Sequence, residues 1–149
     1  MTIAALAPSA PPPEPGSYRM TGPSRPTTPR VAREWVVLLC NLAGFTHLVD
    51  DARLCLSEVV TNVLLHTASP LVVVDATLRE RDLVICVHDS SPVRTLVPSS
   101  HFSEEERGRG LSLLDSLAEE WGTTFYGGAF GCTSKAVWFR LHEFERSVA

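Results

Sequence analysis

From Pro29 onward the apolar positions fall into runs with two different periods. Val31, Trp35, Leu38, Leu39 and Leu42 recur at helical spacing behind a proline in the first turn, and Gly44 follows as a stop. This first helix is expected to pack into the core and to carry no chemistry. A second helix is predicted to run to about His66. At about 100° per residue its Ala52, Leu56, Val59, Val60 and Val63 share one broad buried stripe. Thr46 is the expected cap, with Asp50 and Asp51 well placed in the early turns.

Past Pro70 the period shortens. Leu71 to Leu78 is β-branched and short, hence a strand; Arg79-Glu80-Arg81-Asp82 is a polar turn; Leu83 to His88 is a second strand, and the two predict an antiparallel hairpin. The hairpin delivers Asp89, followed by Ser90-Ser91-Pro92, which cannot continue a ladder. From Pro92 to Arg107 no period is visible, as in a lid or binding loop. Gly108-Arg109-Gly110-Leu111 then opens a helix with Leu111, Leu114, Leu117 and Ala118 on one side. Trp121 to Tyr126 and Ala136 to Leu141 read as closing strands around a turn at Gly127 to Gly131.

Helices and strands do not strictly alternate, which argues against a doubly wound parallel sheet. The expected class is α+β: a two-layer α/β sandwich, mostly antiparallel sheet with helices on one face. Residues 1–28 hold Pro8, Pro11, Pro12, Pro13, Pro15, Pro23 and Pro26 and few large apolar side chains, so they are expected to form a disordered proline-rich tail. The folded domain is expected over 29–142, with a frayed tail over 143–149.

Composition narrows the function classes. A chain of 149 residues suits one domain, and its formal net charge of -4 argues against a nucleic-acid binder held by a basic surface. A local basic pocket for a nucleotide is still compatible. The four cysteines (Cys40, Cys55, Cys86, Cys132) form no C-x-x-C pair, so buried reduced thiols are expected rather than zinc. The N-terminus is a poor signal peptide, and no apolar run approaches the roughly 20 residues of a spanning helix, so a cytoplasmic protein without a membrane partner is expected.

Three polar clusters remain once the core is assigned. Glu58 and Asn62, four apart, share a face beside the buried stripe of the second helix, with His66 a turn further on. They suit a bound polar ligand, or else two solvated surface positions. Asp89 can accept from the exocyclic amine of a base, or merely form a turn. Glycines leading into a helix expose backbone N–H groups that suit phosphate, and Arg107 and Arg109 add cations, unless both are simply solvated. The amide oxygen of Asn62 is a hard ligand of the kind Mg²⁺ takes alongside waters and substrate phosphates. Together these groups would bind a nucleoside triphosphate without a P-loop, since no G-x-x-x-x-G-K-[ST] occurs.

The order of these clusters resembles the Bergerat-fold (GHKL) ATP-binding superfamily, and within it the bacterial anti-sigma-factor serine/threonine kinases, over about residues 30 to 142. Leu54-x-x-Ser57-Glu58-x-x-x-Asn62-x-x-x-His66 is similar to the family's N box, and Val87-His88-Asp89-Ser90-Ser91-Pro92 to its G1 box. Arg107-Gly108-Arg109-Gly110-Leu111 with Trp121-Gly122 resembles the G2 region, and Ser134-Lys135-Ala136-Val137-Trp138 the closing strand. The resemblance implies that Asn62 holds Mg²⁺ against the ATP phosphates and that Glu58 is the general base towards a serine or threonine hydroxyl. It further implies that Asp89 reads the adenine amine, and that Gly108 to Gly110 cradle the phosphates. The implied partners are an anti-sigma-factor antagonist and a sigma factor, in a homodimer. Two departures stand out: Ser91 where relatives usually carry glycine, and Ala136 where they often carry threonine. Both loosen the expected grip on the nucleotide and keep open a non-catalytic, nucleotide-gated binding module. A histidine-kinase catalytic domain fits less well, because residues before Pro29 hold no helix pair for a phosphoacceptor histidine. A purely structural protein is the remaining reading.

Overall fold

Among the described residues, five antiparallel strands form one layer and three helices cover one side of it. The molecule is seen in a computed structural model, which describes residues 10, 11, 13, 14, 16–89, 112–128 and 131–144, with the backbone alone at 127, 128 and 131–133. In chain order the elements are β1 (Tyr18–Pro23), α1 (Thr28–Ala43), α2 (Val49–His66), β2 (Leu71–Arg79), β3 (Asp82–Asp89), α3 (Ser112–Leu117), β4 (Glu120–Gly128) and β5 (Gly131–His142). The sheet order is β1-β2-β3-β5-β4, so β3 is central. This is the expected α+β sandwich.

Alternation along the strands separates two faces of unlike chemistry. Val72, Val74 and Ala76 of β2, Leu83, Ile85 and Val87 of β3, and Phe139 and Leu141 of β5 join the buried core beneath the helices. The intervening positions Asp75, Cys86, His88 and Trp138 are neighbours by register on the other, open face. Gly122 of β4 lies under the Trp138 ring, where an added Cβ would come within 3.0 Å of the indole.

Helix α2 buries the stripe read from sequence: Ala52, Leu56, Val59, Val60 and Val63 are all at most 5% exposed. Helix α1 does not. Its buried apolar residues are Ala32, Val36, Leu39 and Cys40, whereas Val31, Leu38 and Leu42 are exposed at 56%, 55% and 77%. The helix is apolar on two sides, and periodicity alone does not say which side faces the sheet. Gly44 closes α1 in the left-handed region at φ 76, as its position predicts.

Both ends of the chain depart from expectation. Tyr18–Pro23, within the segment expected to be a flexible tail, is instead an edge strand paired with β2 over its full length, and Met20 packs against the core. An edge position tolerates Pro23, which lacks a donor. Thr46 does not cap α2: the helix begins after Leu48 with no side-chain cap of its own. The Glu143 carboxylate accepts from the backbone N–H of His47 (2.9 and 3.1 Å) and of Leu48 (3.1 Å) instead. An anion there meets the positive end of the helix, and Glu143 is only 8% exposed.

Candidate functional site

The connection from α2 to β2 brings two of the polar clusters to one end of the molecule. Only Thr67 to Pro70 separate the end of α2 from the start of β2. Val72, at that start, is the ladder partner of Asp89 at the end of β3. The last turns of α2 and the last residue of β3 therefore lie at the same edge of the sheet. At about 1.5 Å per residue, Asn62 is roughly 6 Å and Glu58 roughly 12 Å along the axis from the end of α2.

Glu58 and Asn62 are half-buried, on the flank of the Val59, Val60 and Val63 stripe. Asp89 is 2% exposed and shares the helix-covered face with Val87 and Val72. A carboxylate buried this far is costly unless paired. Lys135 of β5, its ladder partner, places its ammonium 3.7 Å from one carboxylate oxygen. Helix and strand end thus hold a carboxylate, a carboxamide and a buried carboxylate with its cation on the same edge.

The remaining predicted residues are not all placed. Arg107, Gly108, Arg109, Gly110 and Leu111 lie outside the described residues, as does Ser91. The helix they were expected to open, α3, packs on α2 and β4 and buries Leu114. Ala136 is placed, and its expected significance changes. It is the ladder partner of His88 and so shares the open face, while Lys135 stands opposite Asp89. A hydroxyl at 136 would point away from the carboxylate, so its lack does not bear on Asp89's face.

The sequence reading missed Lys135 as a partner of Asp89, because cross-strand neighbours depend on a register that no local pattern reveals. It also missed the ion cluster of Arg19, Asp75 and His88 on the open face. Burial would push the Asp75 carboxyl up, but hydrogen bonds and charge from Arg19 and His88 outweigh it and hold the group at about 2. Among the described residues, burial, aided by nearby carboxylates, pushes the thiols of Cys40, Cys55 and Cys86 up to about 11, about 12 and about 11, so these three stay protonated at neutral pH.

Among the described residues no group of three or more His, Cys, Asp or Glu could hold a metal ion. The donor chemistry instead fits an ion that keeps its waters and binds through a phosphate ligand, with the half-buried Asn62 amide as one oxygen. No helix of the described residues is long and apolar enough to cross a membrane.

Comparison with known proteins agrees with this geometry. The family model of the histidine kinase-like ATPase domain matches residues 22–128, which contain the elements from α1 to β4 and every site residue expected from the sequence. No curated protein matches the chain significantly. With an antiparallel sheet, one helix-covered face and both placed polar clusters inside the matched span, the chain belongs to the family of histidine kinase-like ATPase domains, and ATP binding follows from that membership.

Proposed function

We propose that the protein is an ATP-dependent serine/threonine protein kinase that phosphorylates an anti-sigma-factor antagonist and also sequesters a sigma factor, acting in the cytoplasm as a homodimer. The observation that carries this reading is the placement of Glu58 one turn before Asn62 on α2, at the edge of the sheet where buried Asp89 ends β3. Asp89 accepts a hydrogen bond from the adenine amine. The Asn62 amide oxygen is one ligand of Mg²⁺, which when bound neutralises charge on the triphosphate. Arg107 to Leu111, whose backbone N–H groups and guanidinium groups suit phosphate, are the remaining contact.

In the reaction a serine or threonine oxygen of the substrate attacks the γ-phosphorus. The bond from that phosphorus to the β–γ bridging oxygen breaks, and ADP leaves with its electron pair. The hydroxyl proton passes to the Glu58 carboxylate and from there to solvent. For such a transfer the carboxylate chiefly orients the hydroxyl, and positioning and charge compensation supply most of the rate. Labelled ATP and a cognate antagonist should yield phosphoprotein with the wild type. Glu58→Ala should abolish transfer while leaving nucleotide affinity within about twofold, since the base does not hold the ground state. Transfer that survives in Glu58→Ala removes this residue from the role.

A second reading is favoured by Lys135. A cation 3.7 Å from the Asp89 carboxylate competes with an adenine amine for its lone pairs. Weakened affinity of that kind suits a nucleotide-gated binding module without turnover. It predicts that ATP protects residues 92–107 from proteolysis while no phosphate reaches any antagonist.

A further inference from the structure

On the open face of the sheet three strands contribute one connected ion cluster that the proposed chemistry does not use. The Arg19 guanidinium of β1 grips the Asp75 carboxylate of β2 with two prongs, Nε to Oδ1 at 2.6 Å and Nη2 to Oδ2 at 2.8 Å. His88 of β3 meets the same carboxylate through Nε2, 3.0 Å from Oδ2. The same guanidinium also donates to the Pro11 carbonyl, which draws the N-terminal segment over this face. Pro11, Pro13 and Glu14 thereby roof a cavity of about 260 Å³ whose floor includes Asp75, Cys86 and His88.

This is an expensive way to hold a sheet together. The side chains of Arg19, Asp75 and His88 are 19%, 13% and 4% exposed, and the ring nitrogen Nδ1 of His88 is buried with no hydrogen-bond partner among the described residues. Apolar side chains of similar volume would fill such a place at no loss of stability, and often at a gain. The location suggests what the cluster is for. Among the described residues the rung Val72–Asp89–Lys135 is the last that the ladders around β3 form, and terminal rungs are where strands open first. On the covered face Val87 is the last residue of β3 itself in the packed core, which continues at Asp89's rung through Val72 of β2. His88, the next residue, is fastened from the opposite face by Asp75.

We propose that Arg19 and Asp75 are positioning residues that act through His88 to hold the end of β3, so that Asp89 is aimed at the base of the bound nucleotide. The inference rests on Asp89 being the adenine-reading group. It assigns the open face of the sheet to base selection in the pocket on the other face, one residue away along the same strand.

A readout that ordinary destabilisation would not move is the preference for ATP over inosine triphosphate, which lacks the exocyclic amine. Both are titrated, with Mg²⁺, into the full chain below its melting range. The wild type should prefer ATP, and Asp89→Asn should abolish the preference. Asp75→Asn, which keeps the shape but releases His88, should cut the ATP preference about tenfold, the worth of one well-aligned hydrogen bond, with inosine triphosphate affinity unchanged. Arg19→Lys, a milder change should Asp75→Asn fail to fold, keeps the charge but loses the fork and should cut the preference about threefold. If Asp89→Asn abolishes the preference while a folded Asp75→Asn, or Arg19→Lys in its place, leaves it intact, the positioning role is wrong and the reading of Asp89 stands. If the wild type shows no preference, or Asp89→Asn keeps it, both are wrong.

Discussion

Asp75 shows how a single side chain can set a pH limit on the fold. Its carboxyl titrates at about 2 rather than its usual 3.8 because Arg19 and His88 favour the charged form against burial. A group whose folded value is depressed stabilises the fold fully above its unfolded value and ceases to do so as pH falls through the folded one. Here the contribution is about 2 kcal/mol above pH 4, fading towards pH 2. Urea melts should therefore show Asp75→Asn less stable than wild type at pH 6, with the gap shrinking by about that amount between pH 4 and 2; a constant gap would assign the loss to packing. Gly122→Ala should cost about 1–3 kcal/mol in the same melts, since its methyl meets the Trp138 ring at 3.0 Å. At this scale the sequence was legible where partners share a helix, as Glu58 and Asn62 do. It was opaque where they meet across strands, as Asp89 and Lys135 do, because their spacing of 46 positions carries no local signal.

Elements were easier to find than to orient. The hairpin of β2 and β3, the Gly44 stop and the buried stripe of α2 follow from short-range rules, and all three appear where the pattern puts them. The buried side of α1 did not follow, because apolar residues on two sides leave two orientations equally consistent with the period. That difference is testable: Leu39→Ala should cost about 2–5 kcal/mol in thermal or chemical melts, and Leu38→Ala at most about 0.5 kcal/mol. Strand β1 was missed because Tyr18–Pro23 has glycine, proline and arginine where alternation should show, and its place comes from pairing with β2 rather than from its own composition. The start of α2 was missed for a similar reason. Its cap lies about 95 residues away at Glu143, so Glu143→Ala should lower the melting temperature, at a cost of about 1–2 kcal/mol, and truncation after His142 should do the same.

At the scale of the whole molecule, the order of helices and strands was enough to name an α+β sandwich, but not the β1-β2-β3-β5-β4 sheet order that makes β3 central. The proposed function depends on that order. It seats Asp89 at the end of a strand hydrogen-bonded on both sides, and the short link from α2 to β2 brings Asn62 to the same edge. An ATP pocket assembled from a helix end and a strand end is the central claim, and a nucleotide titration with and without Mg²⁺ tests it most directly. Wild type should bind ATP at least about tenfold more tightly with Mg²⁺ than without, and Asn62→Ala should lose that difference while its melting temperature stays within about 2 °C. Asp89→Asn should weaken ATP binding in both conditions. Binding by Asn62→Ala and Asp89→Asn indistinguishable from wild type, with and without the ion, would contradict the account.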